Sequence, residues 1–128
     1  MVKKTKTVKK PWGAFEEFAT NEKVTVKIIT VNKGGILSLQ SHKHRTELWV
    51  ALDSGLIAVV GARKAKLSAG QKITIPKGAK HRIMAARKAR FLEISFGRFD
   101  ENDIVRYEDV YGRISKQDNK SSRKYRAL

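Results

Sequence analysis

Residues 24–55 read Val24-Thr25-Val26-Lys27-Ile28-Ile29-Thr30-Val31 and then NKGGILSLQSHKHRTELWVALDSG. The first eight are rich in β-branched residues, as a strand is. Trp49–Leu52, Leu56–Val60, Lys72–Ile75 and Phe91–Phe96 have the same character. Turn signals separate them: Gly34-Gly35, Asp53-Ser54-Gly55, Gly61, Ser68-Ala69-Gly70 and Pro76-Lys77-Gly78. Short strands with turns about every eight to twelve residues predict an all-β chain, an antiparallel sandwich or small barrel. Met84–Arg90 (MAARKAR) has helix-favouring composition. It is short and lacks an N-cap, so it is predicted as strand, turn, strand. No internal repeat and no phosphate-cradling glycine loop is present.

A chain of 128 residues makes one domain, with or without tails. Hydrophobic residues are 41% and charged residues 31%, a globular balance. There is no cysteine, which excludes disulfides, iron–sulfur clusters, thiolate zinc sites and cysteine nucleophiles. The longest apolar runs fall far short of the ~20 residues that cross a bilayer. The start, MVKKTKTVKKPWG, is basic with no apolar stretch behind it, unlike a secretory signal. The expectation is a soluble cytoplasmic protein without membrane contact.

The net charge of +16 invites a nucleic-acid reading, but its distribution weakens that reading. Residues 1–10 carry five lysines and no acid, and residues 113–128 carry six basic residues against Asp118. Residues 1–10 and 114–128 are therefore expected as basic tails around one domain at 11–113. No helix-turn-helix, zinc-finger or RNA-binding signature accompanies them, and nucleic acid is not the expected partner.

The three histidines are His42, His44 and His81. Strand alternation would point Gln40, His42 and His44 to one face. A bulge could return Glu47 to that side. His81 follows the Pro76-Lys77-Gly78 turn and could reach the same interior across a barrel. Imidazoles, a carboxylate and an amide suit a borderline divalent ion such as Zn, Mn, Fe, Co or Ni, with positions left open for substrate. A lone strand histidine is more often a packed core residue, so context decides.

Gly34, five residues, Gln40, one, His42, four, Glu47, seven, Gly55 resembles the first cupin motif. Gly70, five residues, Pro76, one, Gly78, two, His81 resembles the second, with Ala85 where asparagine is usual. The strings PWGAFEEF, SLQSHKHRTELW, ITIPKGAKHRI, LEISFG and DIVRYEDVYGR resemble type II mannose-6-phosphate isomerases. This cupin domain is often fused behind a mannose-1-phosphate guanylyltransferase, whose nucleotidyl transfer is not expected of this chain. The resemblance spans about Lys10 to Arg113. Two departures sit in turns and bear on substrate fit: Met84-Ala85-Ala86-Arg87 for the usual Glu-Asn-Pro-Gly, and Lys33-Gly34 for Pro-Gly.

The resemblance implies a double-stranded β-helix, jelly-roll-like, and a metal set of Gln40, His42, Glu47 and His81. His44 would replace Gln40 as a ligand or line the pocket. It also implies interconversion of mannose 6-phosphate and fructose 6-phosphate through an enediolate. The base would be Lys27, Lys43 or an unligated Glu47, with Lys27 favoured for its place in the VK string. A lysine in that role needs a lowered pKa. Arg45 is the expected phosphate ligand, since Arg82 should point away by alternation. Arg106 and Arg113 would close over the pocket or pair with Glu108 and Asp109. Trp49 shares parity with Glu47 and could floor the pocket. Family analogy implies a homodimer, with a strand around Phe15–Phe18 serving the contact. The competing reading is a non-catalytic cupin that binds a sugar phosphate or nucleotide sugar; oxygenase-type chemistry and nucleic-acid binding rank below it.

Overall fold

Alternating apolar residues and glycine-bearing turns give strands throughout the described part of the chain. A computed structural model describes residues 4–113. Eleven strands are seen there: β1 (Lys6–Lys10), β2 (Gly13–Glu17), β3 (Val24–Val31), β4 (Leu39–Ser41), β5 (Thr46–Ala51), β6 (Leu56–Val60), β7 (Arg63–Leu67), β8 (Lys72–Ile75), β9 (His81–Ala85), β10 (Ala89–Phe96) and β11 (Val105–Glu108). Two antiparallel sheets face each other, in the orders β3-β10-β5-β8 and β11-β4-β9-β6-β7. β1 and β2 form a separate hairpin. No helix long and apolar enough to cross a membrane occurs among the described residues.

The core lies between the sheets and follows the period of two. β5 turns Trp49 and Ala51 inward, β9 turns Ile83 and Ala85 inward, and β10 adds Phe91; all five are buried in one cluster with Leu56, Ala58 and Ile75. Trp49 packs on Phe91 with ring centroids 5.3 Å apart. On the outer face of the four-stranded sheet, Leu48, Val50 and Ile94 form a second cluster with Phe18, Val24, Leu92 and Phe96. That second layer explains why β5 is buried on both faces from Glu47 to Ala51.

Val24–Val31, Leu56–Val60 and Lys72–Ile75 are strands as expected, and Met84–Arg90 is indeed strand, turn, strand. Residues 1–10 are not wholly a tail. Lys6–Lys10 pairs with Gly13–Glu17 across a Pro11-Trp12 turn, with Lys10 opposite Gly13. Backbone pairing does not require an apolar sequence, and lysines are a common device for blunting an edge strand. The hairpin is tied to the four-stranded sheet by Lys72 Nζ, 2.7 Å from Glu16 Oε2. Thr5 also donates to Glu16. Residues 114–128, expected as the second tail, lie outside the described residues.

Glycine is required where the chain turns sharply into the site. Gly78 has φ 77, in the left-handed region, and its N–H donates to the His42 carbonyl at 2.7 Å. This bond pins the Pro76-Lys77-Gly78 turn beside the first histidine, immediately before His81 begins β9.

The packing predicts a contrast between two apolar side chains. Phe91 is 0% exposed and Ile28 is 61% exposed. Phe91→Ala should cost about 3–5 kcal/mol in urea unfolding. Ile28→Thr should stay within about 0.5 kcal/mol of the parent.

Candidate metal centre

The two sheets meet at one end of the sandwich, where β4 ends and β5 and β9 begin. Each sheet sends donors to the same point. Glu47 comes from β5 in the four-stranded sheet, and His81 from β9 in the five-stranded one. His42 lies on the connection between them, just after β4. One donor atom from each of the three lies within 4.8 Å of the other two, an arrangement that can hold a metal ion. His42 Nε2 is 3.4 Å from Glu47 Oε2, and His81 Nε2 is 3.9 Å from Glu47 Oε1. All three side chains are buried.

Their protonation follows from their surroundings. Burial holds the His81 imidazole down to about 4, and burial likewise lowers His42 against the pull of Glu47. Both rings are therefore neutral near pH 7, and their approach to Glu47 is not an ion pair. His42 Nδ1 sits 2.7 Å from the Asp103 carbonyl, and His81 Nδ1 sits 2.9 Å from the Ala79 carbonyl. A carbonyl only accepts, so each Nδ1 carries the proton and each Nε2 presents a lone pair to the centre. Main-chain orientation of this kind is how metal-binding imidazoles are held. The donor set of two neutral imidazoles and a carboxylate thus fits a borderline divalent ion.

Gln40 lies on β4, beside the centre. It pairs with His81 across β4 and β9 and with Arg106 across β4 and β11, and it lines the cavity. Its amide nitrogen donates to Ser38 Oγ at 3.1 Å. That contact orients the amide and leaves its oxygen as the remaining donor.

His44 does not join the centre. β4 stops at Ser41, and residues 42–45 bend from one sheet to the other instead of continuing the strand. Alternation fails at that bend. His44 is exposed, with its N–H bonded to Asp103 Oδ2 at 3.0 Å. Lys43 is exposed beside it, its N–H on Asp103 Oδ1 at 2.8 Å. The same bend, not a bulge, returns Glu47 to the interior.

Arg45 is buried, and its guanidinium turns inward. Nε donates to Glu47 Oε2 at 2.9 Å, Nη1 to the Asp100 carbonyl at 3.0 Å, and Nη2 lies 3.3 Å from His42 Nε2. It neutralises Glu47 and stacks on Phe99, 4.5 Å from the ring centroid. Its donors point at the carboxylate and loop rather than outward for a phosphate.

The centre opens into a cavity of about 760 Å³, within the ordinary range for small-molecule sites. Lys27, Arg106, Trp49 and Glu93 line it with the residues above. Lys27 Nζ lies over Phe99, 4.2 Å from its centroid. Trp49 takes the expected place in the wall, its indole N–H donating to Glu47 Oε1 at 3.2 Å. Arg82 has its Nε on the Leu37 carbonyl at 3.0 Å and pairs with Glu108. Arg113 pairs with Asp109 at 2.8 Å, so of the two C-terminal arginines only Arg106 lines the cavity.

Besides Phe99 and Ile104 of the wall and the Asp100 carbonyl, two titratable participants are not singled out in the sequence. Asp103 orients His42 by its carbonyl and the 42–45 bend by its carboxylate. Burial opposes its ionisation, but the N–H groups of Lys43 and His44 hold it below the usual range. Glu93 is the other. Burial, reinforced by the Glu47 charge, pushes its carboxyl up to about 7 against Lys27, Arg45 and the Trp49 indole. Its signal was available: Phe91, Glu93 and Ser95 share the inward parity of β10, and an acid there is out of keeping with a packed core.

Comparison with known proteins agrees with this geometry. A family model described as mannose-6-phosphate isomerase C-terminal matches residues 1–109. The xanthan biosynthesis protein XanB of Xanthomonas campestris pv. campestris is 38% identical over 109 residues, 83% of this chain and 23% of that protein. Mannose-1-phosphate guanylyltransferase ManC of Salmonella typhimurium is 36% identical over 110 residues, 84% of this chain and 23% of that one. The chain thus spans about a quarter of the length of these curated relatives. Among solved structures, a cupin-2 domain protein from Shewanella frigidimarina superposes with a TM-score of 0.53 at 22% identity, over 62% of this chain and 74% of that one. Fold, site and sequence agree: this chain belongs to the mannose-6-phosphate isomerase C-terminal family and has the cupin fold.

Proposed function

We propose that this domain is a divalent-metal-dependent isomerase that interconverts mannose 6-phosphate and fructose 6-phosphate. The observation that carries the reading is the convergence of His42, Glu47 and His81 at the base of a cavity lined by cationic side chains. Membership of the family supports the sugar-phosphate class. His42 Nε2, His81 Nε2, a Glu47 oxygen and the Gln40 amide oxygen would hold the ion. Bound there, it would stabilise negative charge that develops on the sugar oxygens.

The chain's own residues supply the rest. Asp103 and Ala79 carbonyls keep both imidazoles in the donor tautomer. Arg45 and Trp49 fix the Glu47 carboxylate. Trp49, Phe99 and Ile104 give the cavity apolar wall on which a sugar ring can lie. Arg106 and Lys27 face the same space and would take the dianionic phosphate, Arg106 by the fork its guanidinium offers. Arg45 would act by holding Glu47.

Incubation of the manganese- or zinc-loaded protein with mannose 6-phosphate, while fructose 6-phosphate is assayed, tests the reading. Turnover should vanish with chelator and with His42→Ala. His81→Ala should lower the metal content of the purified protein as well as the rate. Substrate binding without turnover in the loaded parent protein would instead favour a non-catalytic sugar-phosphate or nucleotide-sugar binder.

The phosphate assignment predicts a second outcome. Arg106→Ala should raise KM for mannose 6-phosphate more than it lowers kcat, because it removes binding common to ground and transition states. Equal loss in kcat and kcat/KM would place Arg106 at the reacting carbons instead.

A further inference from the structure

We propose that Glu93 is the catalytic residue that carries the proton between C2 and C1 of the sugar, an inference that rests on the isomerase reading above. The register places it there. β10 pairs Glu93 with Lys27 of β3 on one side and with Trp49 of β5 on the other. One inward step along the same strands, Ser95 stands opposite Glu47. Glu93 is thus the diagonal neighbour of the Glu47 ligand, about 7–8 Å away along the sheet face, which is the reach of a small polyol between them. It lines the cavity next to the metal cluster while taking no part in it.

Of the other carboxylates in the wall, Glu101 is exposed on the segment that follows β10, and Glu47 is committed. Glu47 is held by Arg45 and Trp49 and faces the two imidazoles of the cluster. Lys27 is engaged as a cation by the Phe99 ring. Arginines do not act as bases. Glu93 forms no ion pair among the described residues, although the charges of Lys27 and Arg45 act on it, and the one indole N–H of Trp49 is already on Glu47. Burial adds to this. A carboxyl that ionises near neutrality can take a proton and give it back without a large penalty in either direction.

The step balances within the sugar. In open-chain mannose 6-phosphate the Glu93 carboxylate accepts the C2 proton. The C2–H electron pair becomes the C1=C2 bond, and the C1=O pair moves onto O1 to give the enediolate. Glu93 then returns the proton to C1. O2 loses its proton as the C2 carbonyl forms, and O1 gains one. C1 is reduced and C2 oxidised, so no external oxidant or reductant enters.

Glu93→Gln keeps size and hydrogen-bonding capacity while removing the base. Its metal content and its calorimetric affinity for fructose 6-phosphate should match the parent. Its kcat should fall about 10²- to 10⁴-fold, with a parallel fall in exchange of the C2 hydrogen with D₂O followed by NMR. Glu93→Asp, which keeps the carboxyl, should recover part of both. Unchanged turnover and exchange in Glu93→Gln would overturn the assignment. So would loss of metal or of sugar-phosphate affinity along with turnover, which would make Glu93 part of the site's framework. Full loss in Lys27→Met with none in Glu93→Gln would return the base to Lys27. Absence of both turnover and exchange in the loaded parent protein would overturn the isomerase reading itself, and this inference with it.

Discussion

A carboxylate at 1% exposure is the constraint around which this domain is organised. Removing one ion from water costs several kcal/mol even after the protein relaxes. Glu47 meets that cost with Arg45 on one oxygen and Trp49 on the other, yet two imidazole lone pairs are also aimed at it. Those lone pairs oppose a negative charge, so the arrangement makes sense only as a site for added positive charge. Arg45 Nη2, 3.3 Å from His42 Nε2, shows which sign the point attracts. A hydrophobic residue at position 47 would pack more cheaply and would leave nothing for an ion to bind.

The cross-sheet geometry follows from the same carboxylate. A metal set drawn from one strand would share one face and one period. Here the chain leaves β4, bends through residues 42–45 and enters β5 in the opposite sheet, so two facing surfaces contribute. The Gly78 bond to the His42 carbonyl and the Gln40–His81 pairing close the ring on the other side. The core beneath, Trp49 against Phe91 and His81, fixes the separation of the sheets and hence of the ligands.

Much of this was legible in residues 24–96. β-branched runs and glycine turns marked five strands, and the motif spacing singled out Gln40, His42, Glu47 and His81. What escaped was polar or non-local. β7, RKAKL, carries three basic residues and only two small steps of apolar alternation, Ala65 and Leu67, although it pairs along its whole length with β6. β1 was concealed by its lysines in the same way. His44 was misplaced because parity holds only while a strand continues, and nothing in SHKHR announces the bend. Arg45 read as a phosphate ligand since the charge of its partner Glu47 is visible in sequence but its direction is not. Asp103 acts on His42 through a main-chain carbonyl, which any residue type would provide.

The segment between β10 and β11 has one further meaning. Its Asp103 carbonyl holds a ring nitrogen of His42, its Asp100 carbonyl receives Arg45, and its Phe99 supports both Arg45 and Lys27. The position of this segment and the aim of the His42 imidazole are therefore one variable. By reciprocity, an ion that favoured one position of this segment would be bound more tightly by a guest that favoured the same position, by an equal free energy.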